Sequence, residues 1–122
     1  MQVENVVVLG ASNNPDRYSN KAVKLLRDKG HKVFPVNPRE EEIEGIVCSK
    51  NIYEITEKIN TVTLYVNSAV LNENLDAIIK LSPGRVIMNP GTESQSAAER
   101  LEEAGISVVK ACTLVLLSTG QF

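Results

Sequence analysis

An open α/β fold, its parallel sheet doubly wound with helices on both faces, is what this 122-residue sequence predicts. Three observations carry the prediction. About five short runs rich in Val, Ile and Leu show little polar alternation, as strands covered on both faces do. Amphipathic stretches at helical spacing separate them. Gly, Asn or Pro follows most of the runs, where a strand must stop.

The first run, residues 5–9 (NVVVL), is continuous and apolar and ends at Gly10. Ala22, Val23, Leu25 and Leu26 then form one apolar stripe of a helix, which Gly30 ends in the left-handed position. Residues 32–36 read as a second strand stopped by Asn37 and Pro38, and residues 61–66 as a third. Between these two, Ile52, Ile55 and Ile59 fall at helical spacing and predict a short helix within 51–59. A helix over 70–81 leads to a Ser-Pro-Gly turn and a fourth strand at 85–88, halted by Asn89, Pro90 and Gly91. A helix over 96–104 is stopped by Gly105, and residues 106–109 make the fifth strand. The pattern over 113–117 fits a terminal helix or a last strand equally. No linker, repeat or low-complexity segment interrupts the alternation, so residues 1–122 read as one domain.

Composition excludes several function classes. A formal charge of −2 provides no basic field for a nucleic-acid backbone, and five aromatic residues with no tryptophan offer little to stack bases on. The amino-terminal MQVENVVVLG has no basic region and too short an apolar run for a signal peptide or membrane span, so a cytoplasmic protein is expected. Cys48 and Cys112 are too far apart for a metal knuckle or a CxxC pair, and both are expected as free thiols. No metal site is expected.

In a doubly wound sheet, ligands bind beyond the carboxyl ends of the strands, where strand order reverses. The segments just past the first four strands read GASNNPDRYS, NPRE, NSAV and NPGT, a polar rim rich in small side chains. A dinucleotide fingerprint would need three spaced glycines after the first strand and an acid ending the second. Gly10 fits. Ser12 and Pro15 stand where the other two glycines belong, and the second strand ends in PVNP. NAD is thereby disfavoured. What remains is a loop long enough to wrap a phosphate, with the Ser12 and Ser19 hydroxyls, Arg17 and a helix start at hand. A bulky residue in place of Gly10 is expected to harm ligand binding before folding.

The string GAS followed by NPDRYSNKAVKLLRDKGHKVFPVNP resembles the amino-terminal signature of small stand-alone CoA-binding proteins, relatives of the CoA-binding domain of the succinyl-CoA synthetase alpha subunit. IEG at 43–45, LYVNS at 64–68, IMNPGTES at 87–94 and AGISVVKACT at 104–113 continue the resemblance over the whole chain. It implies a Rossmann-like fold and coenzyme A or an acyl-CoA as ligand. It also implies that Gly10, Ala11 and Ser12 turn the loop beneath the CoA phosphates, with Arg17, Tyr18 and Ser19 closing it. Val36, Asn37, Pro38 and Arg39 would border the adenosine end, as would Val66 and Asn67. Asn89, Pro90 and Gly91 would form the turn passed by the pantetheine arm. One departure is the acidic cluster Glu40, Glu41, Glu42 and Glu44, where the family often has neutral or basic residues; as a sequence feature it reads as a solvated surface.

No acid–base or nucleophilic pair can be assembled, so no catalytic residue is assigned and the chain reads as a binding module. His31, just past Gly30, reads as a surface turn residue at the edge opposite the rim. Cys112 reads as a small buried hydrophobe, or as a thiol near that of CoA. Two other classes stay open: an NAD- or NADP-linked oxidoreductase, and a regulatory or scaffold protein that keeps the fold without the ligand. The protein partner is unknown from sequence.

Overall fold

The computed structural model describes residues 2–122. Five parallel strands form the sheet: β1 (Asn5–Leu9), β2 (Lys32–Val36), β5 (Thr61–Leu64), β6 (Arg85–Met88) and β7 (Ser107–Lys110), in the spatial order β2-β1-β5-β6-β7. Among the described residues four α-helices connect or follow them: α1 (Tyr18–Asp28), α2 (Ser68–Leu81), α3 (Gln95–Glu103) and α4 (Thr113–Ser118). A small antiparallel hairpin, β3 (Glu42–Ile43) with β4 (Ile46–Val47), follows β2. The expected Rossmann-like α/β fold is the one observed.

Pleating explains why β1 is apolar from Val6 to Leu9 without alternation. Val6 and Val8 pack on one face of the sheet with Val23 and Leu26 of α1 and Leu117 of α4. Val7 and Leu9 point to the other face, with Leu71, Leu75 and Ile78 of α2 and Ala97 and Leu101 of α3. Val6, Val7, Val8 and Leu9 therefore each meet a helix layer whichever way they point. Cutting a fully buried side chain such as Leu26 or Ile78 to Ala is worth about 2–5 kcal/mol of stability.

The chain leaves β1 to build β2 on one side, then returns to place β5 on the other. Strand order therefore reverses at β1 and β5. Leu9 pairs with both Val36 and Leu64, and Leu64 with Met88, so these four strands end at one level and release their loops together.

Several elements differ from the sequence expectation. The third strand stops at Leu64, two residues early, because Tyr65 and Val66 bend into the loop at the reversal. The fifth is Ser107–Lys110, one residue later than the 106–109 run. The helix expected within 51–59 is only a 3-10 turn, Ile52–Glu54; Ile55 returns to extended backbone, and Ile52, Ile55 and Ile59 cover the core as irregular chain. β-branched residues gain little from helix there. Residues 113–118 resolve as helix. The hairpin inside the acidic cluster was not expected at all.

His31 is not a surface turn residue. It is 5% exposed, because the Gly30 turn (φ +89) closes α1 through a His31 N–H bond to the Leu26 carbonyl and directs the side chain inward. It does lie at the edge opposite the rim, where His31 Nδ1 accepts the Glu4 N–H at 3.0 Å and its ring meets Phe122 at 5.0 Å. Arg85 lies over the Phe122 ring, 4.5 Å from its centroid, and pairs with Glu4 at 3.5 Å. No helix among the described residues is long and apolar enough to cross a membrane.

Burial lowers the His31 pKa, opposed by Glu4 and assisted by Arg85. The unfolded chain therefore binds the His31 proton more readily than the fold does. This contribution is complete above the unfolded value near 6.5 and is lost as pH falls through that value toward the lower folded one. Melting temperature should drop between pH 7.5 and 5, and His31→Gln, which retains an acceptor without titrating, should flatten that slope; an unchanged slope would show that other groups set it.

Candidate functional site

The site is built where β1 and β5 let go of the sheet. Gly10 turns the chain at φ +87, and a Cβ there would stand 2.6 Å from the Tyr65 carbonyl and 2.8 Å from Val66 Cγ1. Only glycine allows both the conformation and the approach. The Gly10 and Ala11 N–H groups both donate to the Val36 carbonyl, at 3.1 and 3.2 Å, which ties the loop after β1 to the end of β2. Asn37 continues the tie: its Nδ2 donates to the Ala11 carbonyl, and its Oδ1 accepts the Arg39 N–H, both at 2.8 Å.

Beyond Ala11 the loop runs over the start of α1. Ser12 Oγ accepts the Asn14 N–H at 3.0 Å, and the Asn14 carbonyl accepts the Arg17 N–H at the same distance. Arg17 occupies the N-cap position in extended backbone without a side-chain cap, whereas Asn67 caps α2 and Ser94 caps α3. The first amides of α1 have no acceptor within the helix, and they carry its positive dipole end.

These features converge on a cleft of about 360 Å³ lined by Gly10, Ala11, Ser12, Arg17, Tyr18, Ser19, Asn37 and Tyr65. A second cleft of about 270 Å³ adjoins it, sharing Tyr18 and Tyr65 and completed by Asn89, Pro90, Cys112 and Leu114. The first is lined by hydroxyls, an amide and a guanidinium. The second is mostly carbon and sulfur. A larger hollow of about 620 Å³ lies by the 3-10 turn and the end of α2, toward the amino ends of the strands.

The structure thus gathers seven of the sequence-derived residues around one cleft and places Asn89 and Pro90 along its neighbour. Val36 lies beneath and contributes its carbonyl. Pro38, Arg39, Val66, Asn67 and Gly91 do not line either cleft. Arg39 has an exposed side chain, and Asn67 accepts the Val70 N–H as the cap of α2. The exposed Gly91 turns at φ +90 and donates its N–H to Glu93. Asn89 is committed to the fold: its Nδ2 donates to Thr63 Oγ1 and the Leu64 carbonyl, and its Oδ1 accepts the Thr113 N–H. It locks the ends of β5 and β6 to the start of α4.

Two residues escaped the sequence reading. Tyr65 floors both clefts because β5 ends before it. Burial pushes its phenol up to about 12, with the Thr63 and Thr113 hydroxyls beside it acting in the other direction. Those two hydroxyls bond each other at 2.8 Å, and the Tyr65 hydroxyl, itself sheltered from solvent, makes no hydrogen bond of good geometry. Asn20 is fully buried and holds the loop from behind, donating to the Ser12 carbonyl at 2.9 Å. Its signal was an amide in the first turn of an otherwise simple amphipathic helix. Cys112, half-buried at the second cleft, is not the buried hydrophobe expected; Cys48 is the buried thiol.

A parallel sheet with helices on both faces and a polar crevice at its strand-order reversal defines an α/β domain of the Rossmann-like class. The chain belongs to the CoA-binding domain family, whose model matches residues 4–118. Among curated proteins it is 27% identical to the uncharacterized protein YneT of Bacillus subtilis over 85% of this chain and 77% of that one. It is 34% identical to the alpha subunit of the ADP-forming acetate–CoA ligase II of Pyrococcus furiosus, over 57% of this chain and only 16% of that one. A crystal structure of an uncharacterized protein superposes along both full chains with a TM-score of 0.95 at 37% identity. A hypothetical protein from Pyrococcus horikoshii gives 0.91 at 29%, over 97% of this chain and 84% of that one.

The close approach at Gly10 changes one expectation: a larger residue there meets backbone of the same chain, so folding suffers at least as soon as binding. Gly10→Ala should lower unfolding free energy by roughly 2 kcal/mol or more, through the left-handed conformation and the contact together. Urea unfolding of the variant without ligand checks this; parent-like stability would refute it.

Proposed function

We propose that this protein binds coenzyme A or an acyl-CoA, with the phosphates in the Ser12–Ser19 cleft and the pantetheine arm along the Tyr65–Cys112 cleft. The observation that carries the reading is the pairing of two adjoining clefts of opposite character across Tyr18 and Tyr65. Coenzyme A has the matching division, a charged nucleotide end and a long, nearly neutral arm. Ser12, Arg17, Ser19 and the uncapped start of α1 suit phosphate oxygens. Membership of the family supports the ligand, and the names of the acetate–CoA ligase relatives point the same way.

NAD fits these residues poorly. An acidic side chain at the end of β2 would be needed for the ribose, and Asn37 stands there with its amide engaged by Ala11 and Arg39. The remaining positions, Pro38, Arg39, Val66, Asn67 and Gly91, then serve as the margin along which the adenosine and arm extend. We read the protein as a binding module without chemistry of its own. Among the described residues no carboxylate or imidazole lines either cleft, and the Tyr65 phenol is held too high to act as a base near neutral pH. The two free thiols suit a reducing cytoplasm.

At a hundred times its dissociation constant, CoA should stabilise the fold by about 2.7 kcal/mol, a melting shift on the order of ten degrees for a domain of this size. NAD and NADP should shift it far less; an equal or larger shift with either would overturn the reading.

Arg17→Ala separates the two clefts. It should weaken CoA by about 1.5–3 kcal/mol through loss of a charged hydrogen bond, yet leave pantetheine, which lacks the nucleotide, unaffected. Titration calorimetry with both ligands makes the comparison, and equal losses for the two would place the phosphates elsewhere.

A further inference from the structure

Three successive loop residues are held by asparagine amides. Asn37 holds the Ala11 carbonyl at 2.8 Å, and Asn20 holds the Ser12 carbonyl at 2.9 Å. Asn13 reaches outward, its Nδ2 donating to the Glu40 carboxylate and the Glu42 carbonyl, each at 2.8 Å. The second and third of these ties lead to the hairpin inside the acidic cluster, because the Asn20 Nδ2 that grips Ser12 also donates to the Glu44 carboxylate at 3.0 Å.

Glu44 occupies an unusual place. It and Gly45 form the two-residue turn between β3 and β4, at φ 52 and φ 78, where Asn or Gly is the ordinary first residue. Glutamate is strained there. Its attachments are all to α1: the carboxylate to Asn20 and, at 3.9 Å, to Lys24, and the carbonyl to Arg27 at 2.7 Å. The side chain is thus engaged through the fully buried Asn20 with the wall of the polar cleft.

A trans peptide is planar, and its carbonyl and N–H point in opposite directions. Fixing the Ser12 carbonyl toward Asn20 therefore fixes where the Asn13 N–H points. We propose that Glu44, acting through Asn20, is a positioning residue that sets the direction of the Ser12–Asn13 peptide and, through it, the affinity of the loop for the phosphates of a ligand. The affinity part rests on the CoA reading above; the peptide part does not. The acidic cluster, in this account, shapes an anion site from behind while remaining out of contact with the anion.

Two substitutions at Glu44 test this without replacing the buried Asn20. Glu44→Gly suits the left-handed turn but removes the carboxylate, while Glu44→Gln keeps an oxygen that can accept from Asn20. Glu44→Gly should weaken CoA about tenfold by calorimetry, at a melting temperature within a few degrees of the parent, and Glu44→Gln should restore most of the affinity. In the absence of ligand, the backbone amide resonances of Ser12 and Asn13 should move in Glu44→Gly and return in Glu44→Gln. Parent-like CoA affinity in Glu44→Gly, unmoved amide resonances, a Gln variant as weak as the Gly variant, or a binding loss matched by collapse of the melting temperature would each overturn the proposal. A parent that fails to bind CoA would overturn the ligand reading instead, and the amide resonances would still decide the orientation of the peptide.

Discussion

Everything at the carboxyl edge depends on one close approach, that of Gly10 to the Tyr65 carbonyl. β1 and β5 are neighbours that send their chains to opposite sides of the sheet, so the two exits separate there and leave a crevice. Glycine lets them begin that separation in contact. The Tyr65 N–H still bonds the Leu9 carbonyl at 2.9 Å, so the ladder holds to the last residue before the turn. With the floor set this way, Tyr65 lies under both clefts, and the loop above it can be anchored to β2 through the Val36 carbonyl.

The anchoring favours backbone accuracy over side-chain display. Carbonyls of the loop are held by asparagines, whereas the first amides of α1 lack a helical acceptor and a capping side chain. A loop arranged so presents donors to whatever fills the cleft, and an anion is the natural complement. The opposite edge of the sheet follows another logic. There Glu4, His31, Thr61, Arg85 and Phe122 close upon one another through ion pair, hydrogen bond and ring contacts.

Much of this was legible before the structure. Runs such as NVVVL and RVIM declare strands covered on both faces, and Gly10, Gly30 and Gly105 mark turns that all proved left-handed. The rim segments gathered at the strand ends because parallel strands of matched length must release their loops together. What stayed hidden was set by tertiary contact. Tyr65 and Val66 are good strand residues, and only the divergence of β1 and β5 bends them out of the sheet. The hairpin at Glu42–Val47 was masked by its glutamates, although Glu44-Gly45 between Ile43 and Ile46 is a turn signal. Asn20 and Glu44 are 24 positions apart, and no local pattern links them. His31 misled because a residue after a helix-ending glycine usually faces solvent, and the carboxyl-terminal Phe122 covers it.

The placement of the aromatic residues has an optical consequence. The chain contains three tyrosines and no tryptophan. Tyr18 and Tyr65 line both clefts, Tyr18 70% exposed and Tyr65 largely enclosed, while Tyr53 sits 60% exposed beside the hollow at the far edge. Two of the three tyrosines thus flank any molecule entering the crevice, and the third lies at the far edge. Its ultraviolet emission carries a built-in report on occupancy, with no label or added fluorophore.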